Sequence, residues 1–99
     1  MKVKARAENR NELRRKLVAD VESGGITIGE ALVMARAILN KNQADYAKSC
    51  GNQQKIIANI EMNRGNPTIE TINKLFAPVG LSIGLKTVRA RARIINKPE

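Results

Sequence analysis

Four side chains between residues 53 and 59 could recognise a patterned row of hydrogen-bonding groups: Gln53, Gln54, Lys55 and Asn59. A carboxamide carries a donor and an acceptor side by side, so Gln or Asn can make a bidentate pair with an adenine edge, and a lysine ammonium can reach guanine O6 and N7. Lys55 and Asn59 lie one helical turn apart and share a face. On composition alone the same row is equally an ordinary solvated helix face. Catalysis has a much thinner basis. The chain has no histidine and a single cysteine, so neither a Ser-His-Asp arrangement nor a Cys/His metal cluster can be built. There is no Walker loop, no GxGxxG and no CxxC. Paired carboxylates are scarce, and none sits among apolar residues in a way that suggests a raised pKa. Cys50, just before a glycine, reads as a small apolar packing residue. The sequence predicts no enzyme, no metal and no cofactor.

The residues around the polar row say how it is positioned. Asn42 to Pro67 reads NQADYAKSCGNQQKIIANIEMNRGNP. A short helix capped by Asn42, a break opened by Gly51 and a second short helix over about Gln53 to Met62 follow one another with almost no linker. Ile57 and Ile60 point inward, and the amides and lysine point outward. That is the layout of a helix-turn-helix, whose second helix enters a DNA major groove. This context favours recognition over a merely solvated face. Gln53, Gln54 and Lys55 lie at the helix start, which enters the groove first. Phosphates would meet backbone N–H groups at the start of the first short helix, where Gln43 sits. Asn63, Arg64 and Asn66 follow the second helix and could hold neighbouring phosphates.

The flanking segments supply a scaffold. Leu13, Leu17 and Val21 recur at helical spacing within a helix over about 8–21, stopped by Ser23-Gly24-Gly25. Its apolar stripe reads as packing on the main domain or on a second subunit, since it lacks the Trp/Phe anchors of a membrane-lying helix. Thr27-Ile28-Gly29-Glu30 is a capping box, followed by the stripe Leu32, Ala35, Ile38 and Leu39. Arg36 at the edge of that stripe requires a partner. Thr68 caps a further helix carrying Ile69, Ile72, Leu75 and Phe76, ended by Pro78 and Gly80. Leu81, Ile83 and Leu85 then alternate with polar residues, which predicts a strand. One strand cannot satisfy itself, and the simplest partner is the same strand of a second copy across a two-fold axis.

Length and charge set the outer limits. Ninety-nine residues make one domain, divided here into a basic arm and helix (1–25), a helix-turn-helix domain (26–80), a dimerisation strand (81–88) and a basic tail (89–99). The net charge of +9 is not spread evenly. Residues 1–16 hold seven Lys/Arg and two Glu, residues 86–99 hold five and one, and the 69 residues between hold six of each sign. The surplus lies in the two ends, which suits a polyanionic partner. No apolar run approaches the ~20 residues of a bilayer span, and the start has no apolar core of a secretory signal. With one cysteine, these features fit a reducing cytoplasm and exclude a membrane partner.

From about Leu32 to Lys86 the chain resembles the Xre/Cro-type helix-turn-helix regulators of bacteria, phages and plasmids. The residues that carry the resemblance are Arg36, Gln43, Ala47, Gly51, Ile57, Ile60, Glu61, Asn66-Pro67-Thr68, Thr71, Ile72 and Gly80. The resemblance implies an all-α, lambda-repressor-like bundle of about five helices, with a short C-terminal β-strand pairing across a dimer. It implies an Arg36–Glu61 ion pair tying the first core helix to the reading helix, a phosphate contact at Gln43, and base-facing positions at Gln53, Gln54, Lys55 and Asn59. Two departures stand at the turn. Asn52 replaces the usual Val or Ile plug and Gln53 the usual Ser or Thr cap, which sets the helix start to within a residue. The LSIGLK segment resembles the subgroup that contains antitoxins of the HipB and HigA types as well as plain repressors. The expected partners are therefore double-stranded DNA, a second copy of the chain and, in the antitoxin alternative, a toxin protein. The expected location is the cytoplasm, associated with the nucleoid.

Overall fold

The structure, a computed structural model, describes residues 7–85. Residues 1–6 of the basic arm, 86–88 of the expected strand and the 89–99 tail lie outside the described residues. Five α-helices and one 3₁₀ turn follow in order: α1 (Ala7–Ser23), α2 (Ile28–Leu39), α3 (Gln43–Ser49), α4 (Gln54–Glu61), α5 (Ile69–Phe76) and the turn Ala77–Val79. No strand forms among the described residues.

Each core helix starts where its local chemistry dictates, with one exception. The Thr27 hydroxyl accepts the Glu30 N–H at 3.0 Å, and the Glu30 carboxylate accepts the Thr27 N–H at 3.0 Å. Asn42 Oδ1 accepts the Asp45 N–H at 2.7 Å, and Thr68 Oγ1 accepts that of Thr71 at 3.0 Å. These bonds satisfy donors that a helix N-terminus otherwise leaves unpaired. The exception is α4, whose N-cap residue Gln53 makes no side-chain cap bond.

α1 extends past Val21 because the Ser23 hydroxyl bonds the Asp20 carbonyl at 3.1 Å and Gly24, at φ 76°, supplies the left-handed exit. It packs along α2 through Leu13, Leu17 and Val21, while Val18 is 37% exposed. α2 runs through the centre of the core, with Leu32, Ala35 and Ile38 all fully buried. Burying each such Leu or Ile contributes roughly 1.5–3 kcal/mol. Ile57 and Ile60 of α4 and Ile72, Leu75 and Phe76 of α5 complete the same core. Tyr46 joins α3 to it, and its phenol donates to the Leu75 carbonyl at 2.6 Å.

Beyond the 3₁₀ turn, Gly80 (φ 78°) lets the Leu81 N–H bond the Phe76 carbonyl at 3.0 Å, so the chain folds back onto α5. The expected strand residues diverge here. Leu81 packs against the core, Ile83 is 42% exposed, and Leu85 is completely exposed. The Ile83 N–H is taken by Asn73 Oδ1 at 2.7 Å. A strand forms only against a neighbouring edge, and none lies beside residues 81–85 among the described residues.

Candidate nucleic-acid interface

α3 and α4 are joined by a four-residue turn, Cys50 to Gln53. The Cys50 N–H bonds the Tyr46 and Ala47 carbonyls at 3.1 Å, Gly51 takes φ 67°, and the Asn52 N–H bonds the Ala47 carbonyl at 2.8 Å. A non-glycine residue would be strained at that φ. Asn52 is half-buried in the place where an apolar plug would sit. α4 begins at Gln54, one residue later than its sequence suggests. Gln53 has extended φ/ψ of −99°/145°, and its side chain makes no bond to the first turn of α4, unlike the short Asn and Thr side chains at the other caps.

The four proposed base-facing residues do not form one uniform row. Gln53, Gln54 and Lys55 are exposed together at the start of α4. Asn59 is half-buried a turn further on, where its carbonyl accepts the Arg64 N–H at 2.8 Å. It lines a cleft of about 280 Å³ with Ile56, Arg64, Asn66 and Thr68, between the end of α4 and the start of α5. Arg64 and Asn66 are exposed on this rim.

The far end of α4 is held from several directions. Arg36 Nε meets Glu61 Oε2 at 2.6 Å and Arg36 Nη2 meets Oε1 at 3.0 Å, with the carboxylate side chain only 8% exposed. A bidentate, part-buried pair of this kind is a strong link. Arg36 also donates to the Lys41 carbonyl at 3.2 Å. Gln43 donates from Nε2 to Glu61 Oε1 at 2.9 Å, so its side chain is turned onto this pair. Gln43 Oε1 in turn accepts from Gln54 Nε2 at 3.4 Å, at the long end for such a bond.

Asn63 is not turned simply toward solvent. It ends α4 in the left-handed conformation, at φ 57°, and its Oδ1 accepts the Gly29 N–H at 3.3 Å. Gly29 is the residue that sequence reasoning passed over. A Cβ there would lie 2.6 Å from the Ile60 carbonyl oxygen and 2.9 Å from that of Glu61. α2 and α4 thus touch backbone to backbone where only glycine fits. Within the capping box Gly29 looks like an indifferent position, and no local signal marks a contact made 34 residues away.

The surface around α4 has no large field of one sign. Residues 7–85 carry ten Lys/Arg against eight Asp/Glu. Burial, with a smaller contribution from Cys50, pushes the Tyr46 phenol above its ordinary range. Among the described residues no group of three or more His, Cys, Asp or Glu could hold a metal ion, and no helix is long and apolar enough to cross a membrane.

Comparison with known proteins points the same way. Over 94 residues the chain is 27% identical to an uncharacterised HTH-type transcriptional regulator of Haemophilus influenzae. The match covers 91% of this chain and 96% of that protein. No family model and no solved structure matches.

Proposed function

We propose that this chain is a sequence-specific DNA-binding transcriptional regulator of the Xre/Cro type, acting as a homodimeric repressor of a palindromic operator. The observation that carries the reading is the build of α4. Gln53, Gln54 and Lys55 are presented in the open at one end, while the other end is fixed to α2 by the Arg36–Glu61 pair. The full-length similarity to a protein named as an HTH-type regulator supports it. Gln53, Gln54, Lys55 and Asn59 read bases, with Asn59 reaching DNA from the rim of its cleft. Gln43, Asn63, Arg64 and Asn66 lie nearer the phosphates. The basic ends, 1–16 and 86–99, supply sequence-independent attraction, so affinity falls steeply with salt. Segment 81–88 pairs with its counterpart in a second copy through Leu81, Ile83 and Leu85, and two α4 helices enter successive major grooves about 34 Å apart.

Selecting bound sites from random duplexes tests this reading. A repressor of this kind yields two inverted half-sites at fixed spacing, whereas an architectural binder yields no shared sequence.

A second reading keeps the DNA module and adds a protein partner, an antitoxin that neutralises a toxin and represses its own operon. The outer face of α1, where Val18 is partly exposed beside Arg14 and Arg15, is the observation that favours it. A toxin gene beside this one, whose product is captured by the full chain and lost with α1 substitutions at Val18, supports that reading. Neutralisation that survives α1 substitutions moves the contact to the basic tail, and failure of the full chain to neutralise the neighbouring gene product removes the reading.

A further inference from the structure

Three helices order their charges as helix stability favours, with acid near the first turn and base near the last. α2 has Glu30 then Arg36, α3 has Asp45 then Lys48, and α5 has Glu70 then Lys74. α4 and α1 reverse the order. In α4 the base, Lys55, stands at the end proposed to meet DNA, and the acid, Glu61, is held by Arg36. In α1, residues 7–16 hold Arg10, Arg14, Arg15 and Lys16 against two Glu, while residues 17–23 hold Asp20 and Glu22 and no base. Arg10 and Arg14 also stand one turn apart, a like-charge spacing that weakens a helix. Lys16 pairs with Asp20 at 3.0 Å, whereas Arg14 and Arg15 are exposed and in no ion pair among the described residues. Stability of α1 does not account for this order. An anionic partner facing its basic half does.

The topology says where that half lies. Four residues, 24–27, join α1 to α2, so the two helices pack antiparallel. The first half of α1 therefore runs beside the last half of α2, and residues 40–42 lead from there directly to Gln43. α1 has 17 residues and α2 has 12. At ~1.5 Å per residue, α1 extends roughly 7 Å past the end of α2. Burial follows this geometry: Leu17 is fully buried, Leu13 is half-buried, and Asn9, Arg10, Asn11 and Glu12 are exposed. Arg10 lies seven residues before Leu17 and shares its face of the helix. The stripe that packs on α2 thus ends in an arginine, beyond the end of α2 and on the side of the corner where Lys41 is exposed and α3 begins.

We propose that the basic half of α1 is a phosphate clamp: Arg10 and Arg14, with Lys41 at the corner between α2 and α3, bind the DNA backbone beside the phosphates proposed for Gln43. The inference rests on the DNA-binding role proposed for α4. It turns part of the attraction assigned to the N-terminal end into a fixed contact at named residues of a packed helix.

The test measures binding of the full chain to its selected site and to unrelated duplex across a salt series, with thermal melting alongside. Arg10→Gln and Arg14→Gln should each flatten the slope of log affinity against log salt by about one, and the double variant by about two. At about 0.1 M salt the double variant should lose affinity on the order of tenfold, equally on both DNAs. Arg15→Gln removes the same charge from the face turned away from α2, and should leave the slope unchanged. Melting temperatures should stay within a degree or two, as for other surface substitutions. An unchanged slope in the double variant would overturn the proposal and leave an acidic protein as the partner of this face. An equal loss in Arg15→Gln would overturn it too, because net charge alone would then explain the effect, and so would a loss that tracks a lowered melting temperature. A wild-type chain that binds no duplex at all would instead remove the DNA-binding role on which the clamp rests.

Discussion

The two ends of α4 are built on opposite principles. At its C-terminal end, Glu61 is clasped by Arg36, Asn63 receives the Gly29 N–H, and the backbones of α2 and α4 meet too closely for a Cβ. At its N-terminal end, Gln53 provides no cap, and one long hydrogen bond from Gln54 to Gln43 is the side-chain tie to α3. The difference teaches that the helix is anchored from behind. Rigidity is placed at the end away from Gln53, Gln54 and Lys55, which carry little of the fold. Substitutions at the anchored end should cost stability, and those at the open end should cost recognition.

The largest break is expected at the anchor. Glu61→Ala leaves the part-buried Arg36 guanidinium without its carboxylate, and should lower unfolding free energy by about 3–5 kcal/mol in urea titration. A loss below 1 kcal/mol would mean that the pair behaves as a surface contact and that the two ends are not so different. Next comes Gly29→Ala, which forces a methyl against two backbone carbonyls and should cost about 1–3 kcal/mol through displacement of α2 from α4. Ala is otherwise the better helix former, so a stabilised variant would show that this approach can relax.

High pH probes the core behind the anchor without touching the open end. The fold accepts the neutral Tyr46 phenol, so its folded pKa lies above the ordinary value of about 10. Its contribution is fully present below that value and is lost as pH rises through the folded one, at up to about 1.4 kcal/mol per pH unit. Wild type should therefore lose more stability between pH 9 and pH 11 than Tyr46→Phe does, and equal losses would remove the phenol as the cause. The smallest effects sharpen the comparison at the caps. Asn42→Ala should cost about 1 kcal/mol, whereas Gln53→Ala should cost almost nothing and Gln53→Ser should add a few tenths or more by supplying the missing cap. A Gln53→Ala loss equal to that of Asn42→Ala would show that Gln53 caps after all.

Much of this contrast was legible in the residues, for reasons of distance along the chain. Thr27, Asn42 and Thr68 act within three residues, so their caps can be read directly from spacing. The positive φ at Gly51 and Asn63 likewise follows from residue type. Arg36 on an apolar stripe signals the need for a partner, but spacing names none, and Glu61 entered only through the family resemblance. Contacts that close across the fold leave weaker traces. Gly29 against Ile60, Asn73 against Ile83 and Gln43 against Glu61 each join residues that local pattern treats as unrelated. The alternation at Leu81, Ile83 and Leu85 describes what a strand needs and cannot supply the edge it pairs with. Gln53 shows the opposite case, since the departure from a Ser or Thr cap was visible in sequence, and Gln53 stands at the N-cap of α4 without a side-chain cap bond.

The central claim is that the open end of α4 reads bases and carries little of the fold. It is tested most directly by Gln54→Ala, with binding measured on the selected site and on unrelated duplex at one fixed salt concentration. The account predicts that affinity for the selected site falls about tenfold or more, that affinity for unrelated DNA is unchanged, and that the melting temperature stays within a degree or so. An equal loss on both DNAs, or a loss that tracks a lowered melting temperature, would contradict it.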